Sequence, residues 1–446
     1  MLLFFRRLAI ALTVLTVYAP RAAHANGRFP AAQAIVTTPG SADGAIFLRT
    51  TFGVLVSRDA GKTWQWMCEQ ALGFSGTWDP PLAVTGDGKL WIGLSDGLRS
   101  TADACESAPV LGLDGEYVAD LTTDPKGTLL VALTSTPSKD GHVVYLDKNG
   151  RAEIVRGGVA HMRLETVEIA PSRPSRFYVT GEPEGKGARA RFFRGERSAE
   201  MVELHPTLPF DARLFIAAVD PKNPDRVFVR ALHAGGSDVL LTEDGGATFR
   251  SVLHMGSSMF GFAKSEDGAV YWAGSGDPAD GIWRSRDRGL TWAQVNRFRV
   301  LCLHARGDKL FACSSPYGKK GGFAIAVSKD EGTTFETLNA FVDVQGPVSC
   351  DGGAGATCAE KWPATHAALV PAVPPADDAI DAAPDASAGD AGRPSVKPRG
   401  ACGCGLVATE NSSSAIALLI AIGFVISRRL DRTKLTSGFH GPRHLH

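Results

Sequence analysis

One eight-residue pattern occurs four times in this chain and constrains the fold more than any other feature. Ser57-Arg58-Asp59-Ala60-Gly61-Lys62-Thr63-Trp64 is the first copy. Thr242-Glu243-Asp244-Gly245-Gly246-Ala247-Thr248-Phe249, Ser285-Arg286-Asp287-Arg288-Gly289-Leu290-Thr291-Trp292 and Ser328-Lys329-Asp330-Glu331-Gly332-Thr333-Thr334-Phe335 follow. The shared form is Ser/Thr-x-Asp-x-Gly-x-Thr-Trp/Phe between apolar runs. It describes a hairpin turn. The carboxylate accepts backbone N–H groups of its own turn, the glycine takes a backbone conformation costly for other residues, and the aromatic begins the next strand with its ring beneath the turn.

The pattern resembles the Asp box, or BNR repeat, of sialidase-like β-propellers. In that family the turn lies on the outer part of a blade, away from the central pocket that binds ligands. The resemblance therefore gives Ser57, Asp59, Gly61, Trp64, Asp244, Gly246, Phe249, Ser285, Asp287, Gly289, Trp292, Ser328, Asp330, Gly332 and Phe335 a structural role. The four carboxylates do not read as metal sites, because the dense run of oxygen ligands of a calcium loop is missing.

The last three copies start at 242, 285 and 328, so both gaps are 43 residues, the length of one four-stranded blade of roughly 40–50 residues. The 185 residues between 57 and 242 leave room for three degenerate turns. These are Gly97 to Cys105, with Ser100 in place of Ser57; His142 to Gly150; and Arg191 to Glu196. Short apolar strands such as Leu90 to Gly93 and Arg226 to Val229, set between turns such as Thr85 to Gly88 and Asp220 to Pro224, are the all-β signature. The expected fold is an all-β, seven-bladed β-propeller over 26–342, with six or eight blades as alternatives. The segment Ala218 to Val229 resembles the blade entry of sortilin-like propellers, xyloglucanases and a photosystem II assembly factor, which share a fold and differ in function.

The ends carry targeting signals. Arg6 and Arg7, the apolar run Leu8 to Ala19, and Ala23-His24-Ala25 form an export signal over residues 1–25. A Pro/Ala/Asp-rich stretch, 363–400, reads as a disordered linker. Beyond it Cys402 and Cys404, the apolar segment Ala415 to Ile426 and a basic end formed by Arg428, Arg429, Arg432 and Lys434 make up 401–435, with a tail at 436–446. That order resembles the myxobacterial C-terminal sorting signal, MYXO-CTERM. The resemblance implies membrane contact through the segment, cleavage near Cys402 or Cys404 by a sorting protease, and delivery to the bacterial cell surface or outer membrane; an ordinary C-terminal anchor is the alternative.

Export permits disulfides, and the chain has eight cysteines. Cys302 and Cys313 flank a hairpin centred on Gly307-Asp308 and stand opposite each other in register. Cys68 and Cys105 occupy related places on successive blades, so a bond between them would staple those blades at their outer edge. Cys350 and Cys358 then close a loop over 343–362 that docks where the ring must shut.

Chemistry is sparsely signalled. Lys plus Arg equals Asp plus Glu at 47 each, which disfavours nucleic acid as a partner. The resemblance to sialidases asks for an arginine triad, a Tyr with a Glu partner and an Asp acid/base. Arg28-Phe29-Pro30 echoes their Arg-Ile-Pro motif only superficially, and Tyr317 is the one tyrosine placed to be considered. Asp79 and Asp277, on inter-strand loops, are candidates for the carboxylate pair of a glycosidase. The eleven histidines show no metal-ligand spacing, and no cofactor motif occurs. The reading is a non-catalytic surface propeller that recognises a protein or glycan through its loop face or central pocket. A sialidase-like glycoside hydrolase and an envelope assembly factor are the alternatives.

Overall fold

The repeated turn sets the fold locally. The Ser57 hydroxyl donates to Asp59 Oδ1 at 2.8 Å and accepts the Gly61 N–H at 2.8 Å. The Asp59 carboxylate also takes the N–H groups of Lys62 and Thr63 and, at 2.6 Å, the Thr63 hydroxyl. Asp244, Asp287 and Asp330 repeat the arrangement with Thr242 and Thr248, Ser285 and Thr291, and Ser328 and Thr334. At Asp59, Asp244 and Asp287 burial pulls the carboxyl upward, but the hydrogen bonds prevail and hold each pKa at about 2; at Asp330 the Thr334 hydroxyl leads the same descent to about 2.

Each turn needs its glycine for two reasons. Two successive residues are left-handed: Ala60 and Gly61, Gly245 and Gly246, Arg288 and Gly289, Glu331 and Gly332. The second is also pressed against an apolar side chain. A Cβ on Gly246 would lie 2.5 Å from the Phe192 ring, one on Gly289 2.4 Å from the Phe228 ring and one on Gly61 3.0 Å from Leu338, whereas one on Gly332 would stand at an ordinary 3.6 Å from the Trp272 ring. All four of those side chains belong to the preceding blade, counting the last blade as preceding the first.

The computed structural model describes residues 30–370 apart from 75–78, 125–128, 134–139, 148–149, 184–189, 209 and 316–321. The export signal, Arg28 and Phe29, Tyr317, most of the linker, Cys402, Cys404 and the C-terminal apolar segment fall outside the described residues. No helix among the described residues is long and apolar enough to cross a membrane.

Among the described residues the strands form seven four-stranded antiparallel sheets, each built from four consecutive strands. The innermost strands, in order, are Ala32–Thr37, Leu82–Val84, Val118–Thr123, Met162–Ala170, Arg213–Val219, Met259–Lys264 and Cys302–Arg306. Each touches the next, and the seventh touches the first, so the ring is closed. Blades are numbered 1 to 7 in that order. The three degenerate stretches fall on third strands, Gly97–Thr101, His142–Leu146 and Arg191–Glu196, and the last is strand throughout rather than a turn. In blade 2 the anchoring hydroxyl is Thr101 rather than Ser100. It donates to Asp103 and accepts from Ala104 N–H, and Ala104 is left-handed like Ala60.

Among the described residues no strand is exchanged between blades 1 and 7. Instead the chain leaves the last strand, Glu336–Asn339, through a 3-10 turn and runs parallel to the outermost strand of blade 1, Gln65–Met67. Gln345 N–H donates to Trp64 O, Trp66 N–H to Gly346 O at 2.7 Å, and Val348 N–H to Trp66 O. A helix, Gly353–Leu369, then packs on blade 1, with the Trp362 and Trp66 rings 5.6 Å apart. The expected docking of this segment is observed, but the helix continues into what the sequence marked as linker from 363.

The cysteines correct the sequence reading at two of three bonds. Cys302 pairs with Cys313 in the expected register. Cys68 pairs with Cys358 and Cys105 with Cys350, not Cys68 with Cys105 or Cys350 with Cys358. Blades 1 and 2 are both stapled, each to the C-terminal segment rather than to one another, because that segment lies across both. These bonds span 290 and 245 residues of sequence and restrict the unfolded chain accordingly.

Two outcomes are expected. Peptide mapping of the non-reduced protein will recover Cys68 linked to Cys358 and Cys105 linked to Cys350, and replacing the second pair by serine will cost about 2–4 kcal/mol in urea unfolding. Gly289→Ala, which drives a methyl into Phe228 at a left-handed position, will cost about 1–3 kcal/mol, with the far-UV spectrum kept.

Candidate functional site

The inner strands leave an open edge toward the ring axis, and side chains from the preceding blade cover it. Asp120 of blade 3 accepts Val167 N–H of blade 4 at 3.0 Å, and Thr166 of blade 4 accepts Ile216 N–H of blade 5 at 2.8 Å. Irregularities in the ladders of blades 4 and 5, between Leu164 and Thr166 and between Ile216 and Ala218, lie beside these amides.

Past them, a cavity of about 590 Å³ opens where the inner strands end. Third strands end on the same side of the ring, so the repeated turns and the cavity share that side, turns outside and cavity at the centre. Its wall combines apolar groups such as Ile35 and Leu82 with Thr37, Glu168, Lys264, His304 and Arg306. Thr122 Oγ1 donates to Glu168 Oε2 at 3.0 Å, and His304 Nε2 lies 2.9 Å from Thr37 Oγ1. Burial raises the Glu168 pKa, opposed by the Lys264 ammonium and the Thr122 hydroxyl. Burial lowers His304 to about 4, helped by the Arg306 and Lys264 charges, so at neutral pH the imidazole is uncharged. Asp120, behind the wall, is pushed up to about 7 by burial, against its Val167 hydrogen bond and with the Glu168 charge adding to the rise. Perturbed groups gathered round one cavity mark a candidate site. The arrangement offers two cations, hydroxyls, a neutral imidazole and a carboxyl at elevated pKa, a set that can hydrogen-bond a polyhydroxylated or anionic ligand.

The residues singled out in the sequence lie elsewhere. Asp59, Asp244, Asp287 and Asp330 are engaged in their own turns. Asp79 accepts the Gln33 side-chain amide at 3.0 Å, and Arg49 reaches the neighbouring Pro80 carbonyl at 2.9 Å. Asp277 is exposed and caps Ala279 N–H. Neither lines the cavity. Tyr145, Tyr178 and Tyr271 are buried and tie blades together, Tyr178 by donating to Pro224 O and Tyr271 by donating to Asp220 at 2.8 Å. The fully buried Asp220 also takes Arg288 at 3.0 Å and the N–H groups of Lys222 and Asn223.

Sequence reasoning missed the cavity lining. Its residues are spread over all seven blades, and only the repeat period, applied to the strand ahead of each turn, could have aligned them. It also missed a cluster on blade 5. Two histidines that the sequence left scattered, His233 and His254, converge with Asp238 within 4.8 Å of one another.

No protein-family model and no curated protein matches the sequence. Solved structures of low similarity do. The GH74 xyloglucanase of Xanthomonas campestris shares 15% identity, over 70% of this chain and 64% of that one, with a TM-score of 0.33. YCF48 from Cyanidioschyzon merolae shares 15%, over 64% and 94%, with a TM-score of 0.43. Hydrazine synthase of Kuenenia stuttgartiensis shares 13%, over 70% and 99%, with a TM-score of 0.47. Likenesses this weak carry no functional argument.

A pH dependence follows from Asp120. Its folded pKa, about 7, lies above the ordinary carboxyl value of 3.8. Between about pH 4 and about pH 7 the folded state therefore holds a proton that the unfolded state has released, and stability falls as pH rises through that interval. Asp120→Asn keeps an acceptor for Val167 and removes the charge. Denaturant titrations are expected to show a flatter profile over this interval for the variant, and greater stability than the parent above it.

Proposed function

We propose that the protein is a non-catalytic binding propeller on the bacterial cell surface that holds a glycan end in the central cavity. One observation carries this reading: a cavity of about 590 Å³, in the size range of ligand pockets, surrounds its space with cationic donors, hydroxyls and a neutral imidazole. Lys264 and Arg306 suit an anionic or hydroxyl-rich sugar, His304 and Thr37 complete the hydrogen-bonding rim, and Ile35 and Leu82 give a sugar face apolar contact. The three disulfides suggest an oxidising compartment, in keeping with the export signal read from the sequence. Display at the surface rests on the sorting-signal resemblance.

A second reading, glycoside hydrolase, is favoured by one specific feature. Glu168 has the raised pKa that a general acid requires, and Asp124 lines the same cavity. A glycan-array screen of the mature protein, with hydrolysis followed on every hit, separates the two. Binding without turnover is expected, and Lys264→Met is expected to weaken it at least about tenfold, the loss of a charge-assisted hydrogen bond. Turnover abolished by Glu168→Gln would replace the binding reading with the hydrolase. No glycan signal would move the search to protein partners, by crosslinking on intact cells.

A further inference from the structure

Blade 5 carries a cluster at the end of its strands remote from its Asp turn. His233 ends the second strand, Val227–His233; Asp238 lies near the start of the third, Gly236–Thr242; His254 is near the end of the fourth, Arg250–Met255. Asp238 pairs with Ala231 on one side and His254 on the other, and His233 is two residues beyond Ala231. Alternation along a strand therefore puts all three side chains on one face of the sheet. Asp238 Oδ2 lies 2.6 Å from His233 Nε2 and 2.9 Å from His254 Nδ1. The other carboxylate oxygen, Oδ1, accepts the Ser251 hydroxyl at 2.5 Å, which fixes the plane of the group and aims Oδ2 between the imidazoles.

We infer that His233, Asp238 and His254 form a binding site for a divalent transition metal, with zinc as the fitting ion. Two imidazoles and one carboxylate are a borderline-soft donor set suited to zinc. Bonds of about 2.0–2.2 Å from a central ion to nitrogen and oxygen put tetrahedral donor atoms roughly 3.3 Å apart, so the carboxylate oxygen must open by about 0.4 Å from His254 Nδ1 and by about 0.7 Å from His233 Nε2. His254 can supply the first movement, since its side chain is 56% exposed; the second falls on Asp238 and His233, 7% and 14% exposed, and requires the carboxylate and the His233 ring to rotate apart within the blade. The Phe210 ring lies over His233 with centroids 4.3 Å apart, and Ser251 is the outer-shell partner that keeps a ligating carboxylate oriented. Binding has a defined cost. Gly235 N–H donates to His233 Nδ1 at 3.1 Å, so without metal the ring proton sits on Nε2, facing Asp238. Metal at Nε2 transfers that proton to Nδ1 and ends the Gly235 hydrogen bond.

Three protein ligands leave at least one position of a tetrahedral ion open to solvent on the exposed side of His254. Phe210 also lines a neighbouring groove of about 560 Å³, along with Arg213 and Leu232. The open position thus stands beside a surface groove, separate from the central cavity, whose lining includes none of the three ligands.

The test uses cobalt(II) and zinc(II) alone, added to the full chain and to three variants: His254→Ala, His233→Ala and Asp238→Asn. Cobalt reports through the visible absorption of a tetrahedral site, and zinc through calorimetry and displacement of cobalt. The expected result is one more equivalent bound by the parent than by His254→Ala, with affinity at that site reduced at least about 100-fold in each variant, more than outer-shell changes bring about. Histidines elsewhere contribute equally to parent and variants and cancel in the comparison. His254→Ala removes an exposed ring, so its folding serves as the control if Asp238→Asn fails to fold. Equal cobalt spectra for the parent and His254→Ala, or no binding by the parent at millimolar metal, would overturn the site and leave Asp238 as a shared acceptor between two histidines.

Discussion

The ring depends on how closely the repeated turn of one blade can approach the blade before it. A left-handed glycine with no side chain lets Gly246 sit against Phe192, Gly289 against Phe228 and Gly61 against Leu338. The carbonyl of the residue just before that glycine points back across the same gap. Arg226 donates to Arg288 O, and Trp272 Nε1 donates to Glu331 O at 2.9 Å. The Asp carboxylate does not itself join the blades. By tying up the N–H groups of its own turn it holds two successive residues left-handed, and that conformation puts glycine and carbonyl in place. Local turn chemistry is thereby converted into a long-range angle between sheets.

This explains what was legible in the sequence. The turn's hydrogen bonds all lie within five residues, so Ser57, Asp59, Gly61 and Thr63 announce it, and its recurrence every 43 residues announces the blade. The hairpin disulfide was legible for the same reason, since register follows from the turn at Gly307-Asp308. The blade 2 turn was misplaced by one residue because Ser100 and Thr101 both offer a hydroxyl, and only the strand's facing decides between them. The remaining disulfides were beyond local reasoning. Cys68 and Cys105 occupy related positions, but the segment that bonds to both arrives from more than 240 residues away in sequence, and its parallel pairing with Trp66 leaves no periodic trace. His233, Asp238 and His254 were hidden in another way. Their spacing is irregular along the chain, and antiparallel register alone makes it compact.

The centre of the ring follows a different balance from its rim. At the rim, carboxylates stay charged because water and several donors surround them. At the centre the same groups lose solvent, and their pKa values move toward neutrality: Asp120 to about 7 and Glu168 upward, with His304 displaced to about 4. A chain selected only for stability would fill such a cavity with apolar side chains. Here Lys264, Arg306, Glu168 and His304 are kept around open space, at a cost in stability that an apolar filling would not carry.

Closure of the ring has a consequence for how stress travels along the chain. Propellers that exchange a strand between first and last blades close by hydrogen bonds within one sheet. Here blades 7 and 1 meet through side-chain and loop contacts, such as Ala32 N–H to Ser314 O and Arg306 to Gly44 O, and the covalent seal is placed outside the ring. Pulling on the chain beyond Leu369 is transmitted first to Cys358 and so to Cys68 on blade 1, then to Cys350 and so to Cys105 on blade 2, and only afterwards to the last strand of blade 7. The strands of blade 7 are therefore shielded from a load at that end, because two bonds divert it into two blades before it can peel Glu336–Asn339 from its sheet. That order of connection directs tension from the C-terminal side into blades 1 and 2 and keeps the ring shut without strand exchange among the described residues.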